Sequence, residues 1–237
     1  MNSTRRISIA AGTLFLLGTV TAFAAAAIEP VRTASHYLTG VDSHSGRMAA
    51  AALFYLAAAG ASVGIAIALY PLLEKISAAL ALGSVVFRTI EAVMYTVALA
   101  SLLSIQPLSR QLATAPAASR SVIHAIADSL VSVRDHSNLA AVFAFSLGAL
   151  IYYVLFYRSR LVPRWLSGYG VVAVLLIMTA CVLALFSDKP ITGYTLLIAP
   201  IAVQEVVFAS WLLVKGFSPG RPRAAEKTPV VTISGDN

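Results

Sequence analysis

The chain has 237 residues, 59% of them hydrophobic and only 11% charged, with a mean hydropathy of +0.84. A soluble globular chain averages about 45–50% apolar and about 25% charged residues, so an ordinary soluble domain is excluded and the lipid bilayer is the expected partner. The net charge of +7 is no nucleic-acid signature: Lys and Arg gather at the ends of apolar runs, where they set topology and meet anionic headgroups, and do not alternate with aromatics.

Six apolar runs are long enough to span, since a helix rising 1.5 Å per residue needs roughly 20 residues to cross about 30 Å of hydrocarbon. They cover residues 7–28, 48–73, 78–105, 139–157, 166–186 and 194–214. The expected fold is all-α: a polytopic membrane helix bundle of six transmembrane helices in one domain, 1–217, followed by a disordered cytoplasmic tail, 218–237, rich in Pro, Gly and charge. The first run has a rival reading. Arg5-Arg6, the apolar stretch and the Ala-rich end near Ala22–Ala26 resemble a secretory signal peptide, with a twin-arginine flavour. The run is longer than a signal core, which favours a retained first span.

Lys and Arg positions orient the bundle. With the N-terminus inside, Arg5, Arg6, Lys75, Arg158, Arg160, Arg164, Lys215, Arg221, Arg223 and Lys227 are cytoplasmic, while Arg32, Arg47, Arg110, Arg120, Arg134 and Lys189 lie outside. The bias predicts an inner-membrane protein with both termini in the cytoplasm. Tyr152, Tyr153, Phe156 and Tyr157 beside Arg158, and Trp211 beside Lys215, read as an aromatic belt at the inner interface. The tight turn 74–77 makes helices two and three antiparallel neighbours. Two longer outer loops, 29–47 and 106–138, remain. The second holds an amphipathic pattern over 117–134, with Ile123, Ile126, Ala127 and Leu130 on one face and Arg120, His124 and Asp128 on another. This predicts one outer amphipathic helix lying on or plugging the bundle.

Three constellations carry candidate chemistry. The first is a midplane polar cluster. Arg88 and Glu91 are i, i+3 on one helix face, and Gln204-Glu205 follow Pro200 in the sixth span. Counting from the cytoplasmic ends puts Arg88 and Glu205 each roughly 15 Å deep. A charged residue at the centre of a membrane helix costs about 2.5–3.5 kcal/mol on insertion scales, so such residues face protein. The functional reading is a site for a small solute or a proton, with Arg88 holding an anionic group and Glu205 titrating. The plainer one is a buried salt bridge serving only the fold, in a structural or regulatory membrane protein. The second constellation is histidine: His36, His44, His124 and His136 all fall in the two outer loops, with Asp128 and Asp135 nearby. Imidazole with carboxylate suits zinc, which would make an outer metalloenzyme site, but no pair has zinc-protease spacing and two loops would have to converge. The third is Gly60-x-x-x-Gly64 running on to Ala68, a small-residue stripe for close helix packing, more often within a bundle than between copies. A lone cysteine, Cys181, allows no disulfide framework and no cysteine metal site within the chain.

Several ordered motifs resemble one bacterial family. They are Leu69-Tyr70-Pro71-Leu72-Leu73, Phe87-Arg88-Thr89-Ile90-Glu91-Ala92, Val133-Arg134-Asp135-His136-Ser137-Asn138, Tyr157-Arg158-Ser159-Arg160-Leu161-Val162-Pro163-Arg164, and Glu205 followed by Trp211-Leu212-Leu213-Val214-Lys215-Gly216. Together they resemble the six-helix membrane proteins grouped as domain of unknown function 4386, over about residues 5–217. The resemblance implies a six-helix membrane domain and no activity. Many relatives carry a second histidine near the place of His136. Arg134 and Asp135 stand there instead, which weakens any metal site carried over from the family.

Overall fold

The computed structural model describes residues 3–28, 34–187 and 189–218, with the side chains of residues 26, 34–37 and 39–45 excepted. The described residues form α1 (Ser3–Ile28), α2 (Ala34–Leu73), α3 (Ala78–Leu103), α4 (Ile105–Thr114), α5 (Ala117–Ser159), α6 (Arg164–Leu185) and α7 (Thr195–Val214), with a 3-10 turn at Ile191–Tyr194. No strand occurs among them. Six helices are long and apolar enough to cross a membrane, and α4 is a short seventh.

Contacts between the helices close a ring in the order α1, α2, α3, α5, α6, α7 and back to α1, with α2 also touching α5 across the middle. The turns fall where the backbone chemistry stops a helix. Ser77 caps α3, extended at φ −158° and ψ 106°, its hydroxyl accepting from the Leu80 amide at 3.5 Å. Arg160 closes α5 in the left-handed region at φ 58°, and Pro163 then starts α6.

The amphipathic helix is not where the sequence pattern puts it. The segment 117–134 neither lies flat nor forms a plug; it is the first half of α5, a single helix of 43 residues that runs without a break into the fourth span. No Gly or Pro interrupts 117–147, so nothing ends the helix there. The break falls earlier, at Ala115, which is extended (φ −72°, ψ 138°) because Pro116 follows it. The separate amphipathic helix is α4, which buries Ile105 and Ser109 and exposes Arg110 and Gln111. At about 65 Å, α5 is twice the hydrocarbon thickness. Its first half, the start of the 40-residue α2, the end of α3 and α4 form a projecting layer with its own core of Leu38, Met48, Leu102, Ile105, Ile123 and Ala127. We call this the projecting end, and the opposite end, which carries Arg5, Lys75, Arg158, Arg164 and Lys215, the basic end.

Near the basic end the ring is filled. Phe15, Tyr152, Tyr153, Phe156 and Phe208 are all at most 1% exposed. Their rings interlock, with centroids 5.2 Å apart for Phe15 and Phe208, 5.6 Å for Tyr153 and Phe208 and 4.6 Å for Tyr152 and Tyr153. The seam between α1 and α7 is tied by the residues that resembled a signal sequence. Arg5 donates to the Leu212 and Leu213 carbonyls at 3.2 and 2.6 Å, and the Ser8 hydroxyl to Leu212 at 2.6 Å. A cation on the last carbonyls of a helix meets both its unpaired acceptors and its dipole. Thus α1 is built into the ring between α2 and α7. Of the expected tail only Ser218 is described, its amide donating to the Leu161 carbonyl at 2.8 Å; residues 219–237 lie outside the described residues.

The small-residue stripe divides. A Cβ on Gly64 would meet Leu14 of α1 at 3.2 Å, whereas Gly60 has nothing within 4 Å. The tightest glycine contact lies elsewhere: a Cβ on Gly170 would sit 2.5–2.8 Å from the Tyr153 ring. Gly170→Ala is therefore expected to cost about 1–3 kcal/mol through overpacking, read as a lower unfolding midpoint of the purified protein; an unchanged midpoint would contradict this packing.

Candidate functional site

Above the aromatic layer, toward the projecting end, the centre of the ring is not filled. A cavity of about 640 Å³ occupies its centre, and Arg88, Glu91 and Glu205 all line it. Three of the four residues of the expected midplane cluster thus share one space. The fourth does not join them: Gln204 is fully buried, donates through Nε2 to the Leu166 carbonyl at 2.8 Å, and faces α6.

Arg88 and Glu91 of α3 are only 3% and 4% exposed. Their i, i+3 spacing sets Arg88 Nη1 3.1 Å from Glu91 Oε2, in ion-pair contact but without hydrogen-bond geometry. Ser62 of α2 serves both partners. Its hydroxyl donates to Glu91 Oε2 at 2.6 Å, and its carbonyl accepts from Arg88 Nε at 3.5 Å. On the other side α5 encloses the guanidinium and its stem. The Phe145 ring centroid is 4.8 Å from Arg88 Cζ, a cation–π distance. Gly148 leaves room for the stem, since a Cβ there would lie 3.2 Å from Arg88 Cγ and Cδ. Three helices therefore hold one ion pair.

Glu205 approaches from α7. It is half-buried, and its Oε2 accepts from the Thr19 hydroxyl of α1 at 2.8 Å. Among the described residues no basic group lies within ion-pair distance of it. With Arg88 matched by Glu91, Glu205 is the surplus negative charge of the cavity. The remaining walls are mostly apolar or aromatic, from Phe15, Tyr55, Tyr95, Val142, Ile177, Ile198 and Ile201. Several lining residues of α1 and α7 are exposed, namely Ala22, Phe23, Thr195, Ala199 and Val203, which puts the opening along the projecting half of the α1–α7 seam.

The histidine set is not brought together. His124 and Asp128 sit on the projecting half of α5, Asp128 exposed. Asp135 accepts from Arg134 Nη1 at 2.9 Å, and His136 Nδ1 lies 2.7 Å from the Ser132 carbonyl. No group of three or more His, Cys, Asp or Glu residues able to share a metal ion exists among the described residues. The side chains of His36 and His44 lie outside the described residues.

Four residues that complete the site went unmarked in the sequence: Thr19, Ser62, Phe145 and Gly148. Each is an ordinary residue for a membrane helix, and each matters because of what stands across from it.

The fold and this site define a multi-pass membrane helix bundle with a polar-floored central cavity. Residues 10–216 match the family model described as domain of unknown function (DUF4386), and the chain belongs to that family. No curated protein and no solved structure matches the chain.

Removing one partner of a buried ion pair leaves an uncompensated charge and typically costs about 3–5 kcal/mol. Arg88→Gln and Glu91→Gln are each expected to destabilise by that order. The double variant should cost clearly less than their sum, which unfolding midpoints in a double-mutant cycle would measure. Simple additivity would contradict the pairing.

Proposed function

We propose that this protein binds or moves a small solute or a proton at the cavity floored by Arg88, Glu91 and Glu205. The observation that carries this reading is that the three charges line an open space of about 640 Å³ instead of closing on one another in a dry core. Ligand pockets typically span about 300–1,000 Å³, mostly apolar with a few convergent polar groups. Ionisable residues inside a membrane bundle mark solute or proton paths more often than they serve stability, because their insertion is costly. A salt bridge that served only the fold would need no cavity beside it, and Glu205 stands beyond ion-pair distance of Arg88. The charge bias supports an inner-membrane setting with the basic end in the cytoplasm, so that the cavity faces the other side.

In this reading Arg88 is the fixed charge, clamped by Glu91, Ser62 and Phe145. Glu205, held by a single hydroxyl, exchanges its counter-charge. Hydrogen–deuterium exchange of the protein in proteoliposomes, across pH and against a panel of small solutes, tests it. Protection around Thr19 and Glu205 should change with pH or solute, and the response should vanish in Glu205→Gln and Arg88→Gln. A response retained in both variants, with only stability lost, would overturn the proposal.

A further inference from the structure

We propose that the cavity takes a lipophilic cation, an ammonium or related onium group on an apolar body, entering through the α1–α7 seam and pairing with Glu205. This rests on the reading of the cavity as a small-solute site and names the ligand class.

Charge selects the sign. The floor holds two carboxylates and one guanidinium, and the guanidinium is already in contact with Glu91 at 3.1 Å. Its stem is enclosed by Gly148 and its face by Phe145. An anion would have to sit beside two carboxylates to reach a cation that is already matched. A cation meets Glu205, whose hydrogen-bond partner among the described residues is the Thr19 hydroxyl. In a space of low dielectric that surplus charge is strongly felt.

The walls select the body. A small hydrated metal cation gains nothing from Val142, Ile177, Ile198 and Ile201, whereas an apolar cation buries its surface against them. Phe15, Tyr55 and Tyr95 also line the cavity, and aromatic faces attract onium groups. The route fits the same chemistry. Phe23 and Val203, 59% and 55% exposed, flank the opening on the lateral surface of the bundle, where a molecule dissolved in the bilayer arrives.

The test uses two ions of matched size and opposite charge, tetraphenylphosphonium and tetraphenylborate, with the full chain in nanodiscs and empty nanodiscs as blank. Equilibrium dialysis should show saturable binding of the cation, with the anion at least ~10-fold weaker. Glu205→Gln should remove that preference, and Ile198→Trp, which fills the cavity, should weaken the cation without touching the charge. Tighter or equal binding of the anion would overturn the cation assignment while leaving a small-solute site in place. Saturable binding of neither ion would overturn the site reading as well. A cation preference that survives in Glu205→Gln would overturn the role of Glu205. Where Glu205→Gln does not fold, the cation-to-anion ratio of the unaltered protein decides alone.

Discussion

A guanidinium held 3% exposed between three helices imposes most of the order in this bundle. Burying an ion without partners costs several kcal/mol even after relaxation, so Arg88 requires everything around it. Glu91 stands one turn on along α3, Ser62 of α2 bonds both, and α5 offers a ring and a glycine. These contacts fix α2, α3 and α5 against one another at one depth. They also leave the charge balance uneven, because Glu205 arrives from α7 with no basic group within ion-pair distance among the described residues.

The bundle has two levels. Toward the basic end, interlocked aromatic rings fill the ring of helices, and Arg5 and Ser8 tie α1 to the last carbonyls of α7. Toward the projecting end the same helices part, and the space between them is the cavity. Thr19 marks the change of level on α1: below it α1 meets α7 through Gly12 and Leu213, and above it Ala22 and Phe23 border the opening. A closed floor under an open chamber gives access from one level only, so the described residues form no continuous pore.

Much of this was legible in the residues, for clear reasons. Apolar runs bounded by Lys and Arg announce spans, and a charge inside such a run is conspicuous. Depth counting linked Glu205 to Arg88 because helical rise is constant. It could not see rotation: Gln204 is at the same depth as Glu205, but consecutive helical residues point about 100° apart, and Gln204 faces α6. Hydroxyls were harder. Thr89, Thr96, Ser101 and Ser146 bond carbonyls four residues back in their own helices, as such residues commonly do. Nothing local separates them from Thr19 and Ser62, which bond across helices. The continuity of α5 was hidden for a related reason. A polar stretch between apolar runs resembles a loop, and only the lack of Gly and Pro over 117–147 hints that the helix does not stop.

The two-level architecture is tested most directly by thiol accessibility along one face of α7. Ala202 lines the cavity, and Ala209, two turns on, is fully buried beside Gly12. In a Cys181→Ala background, Ala202→Cys should react readily with a small membrane-permeant thiol reagent in reconstituted membranes, and Ala209→Cys should not react. Equal reactivity at the two positions, or protection of both, would contradict an open chamber standing on a closed floor.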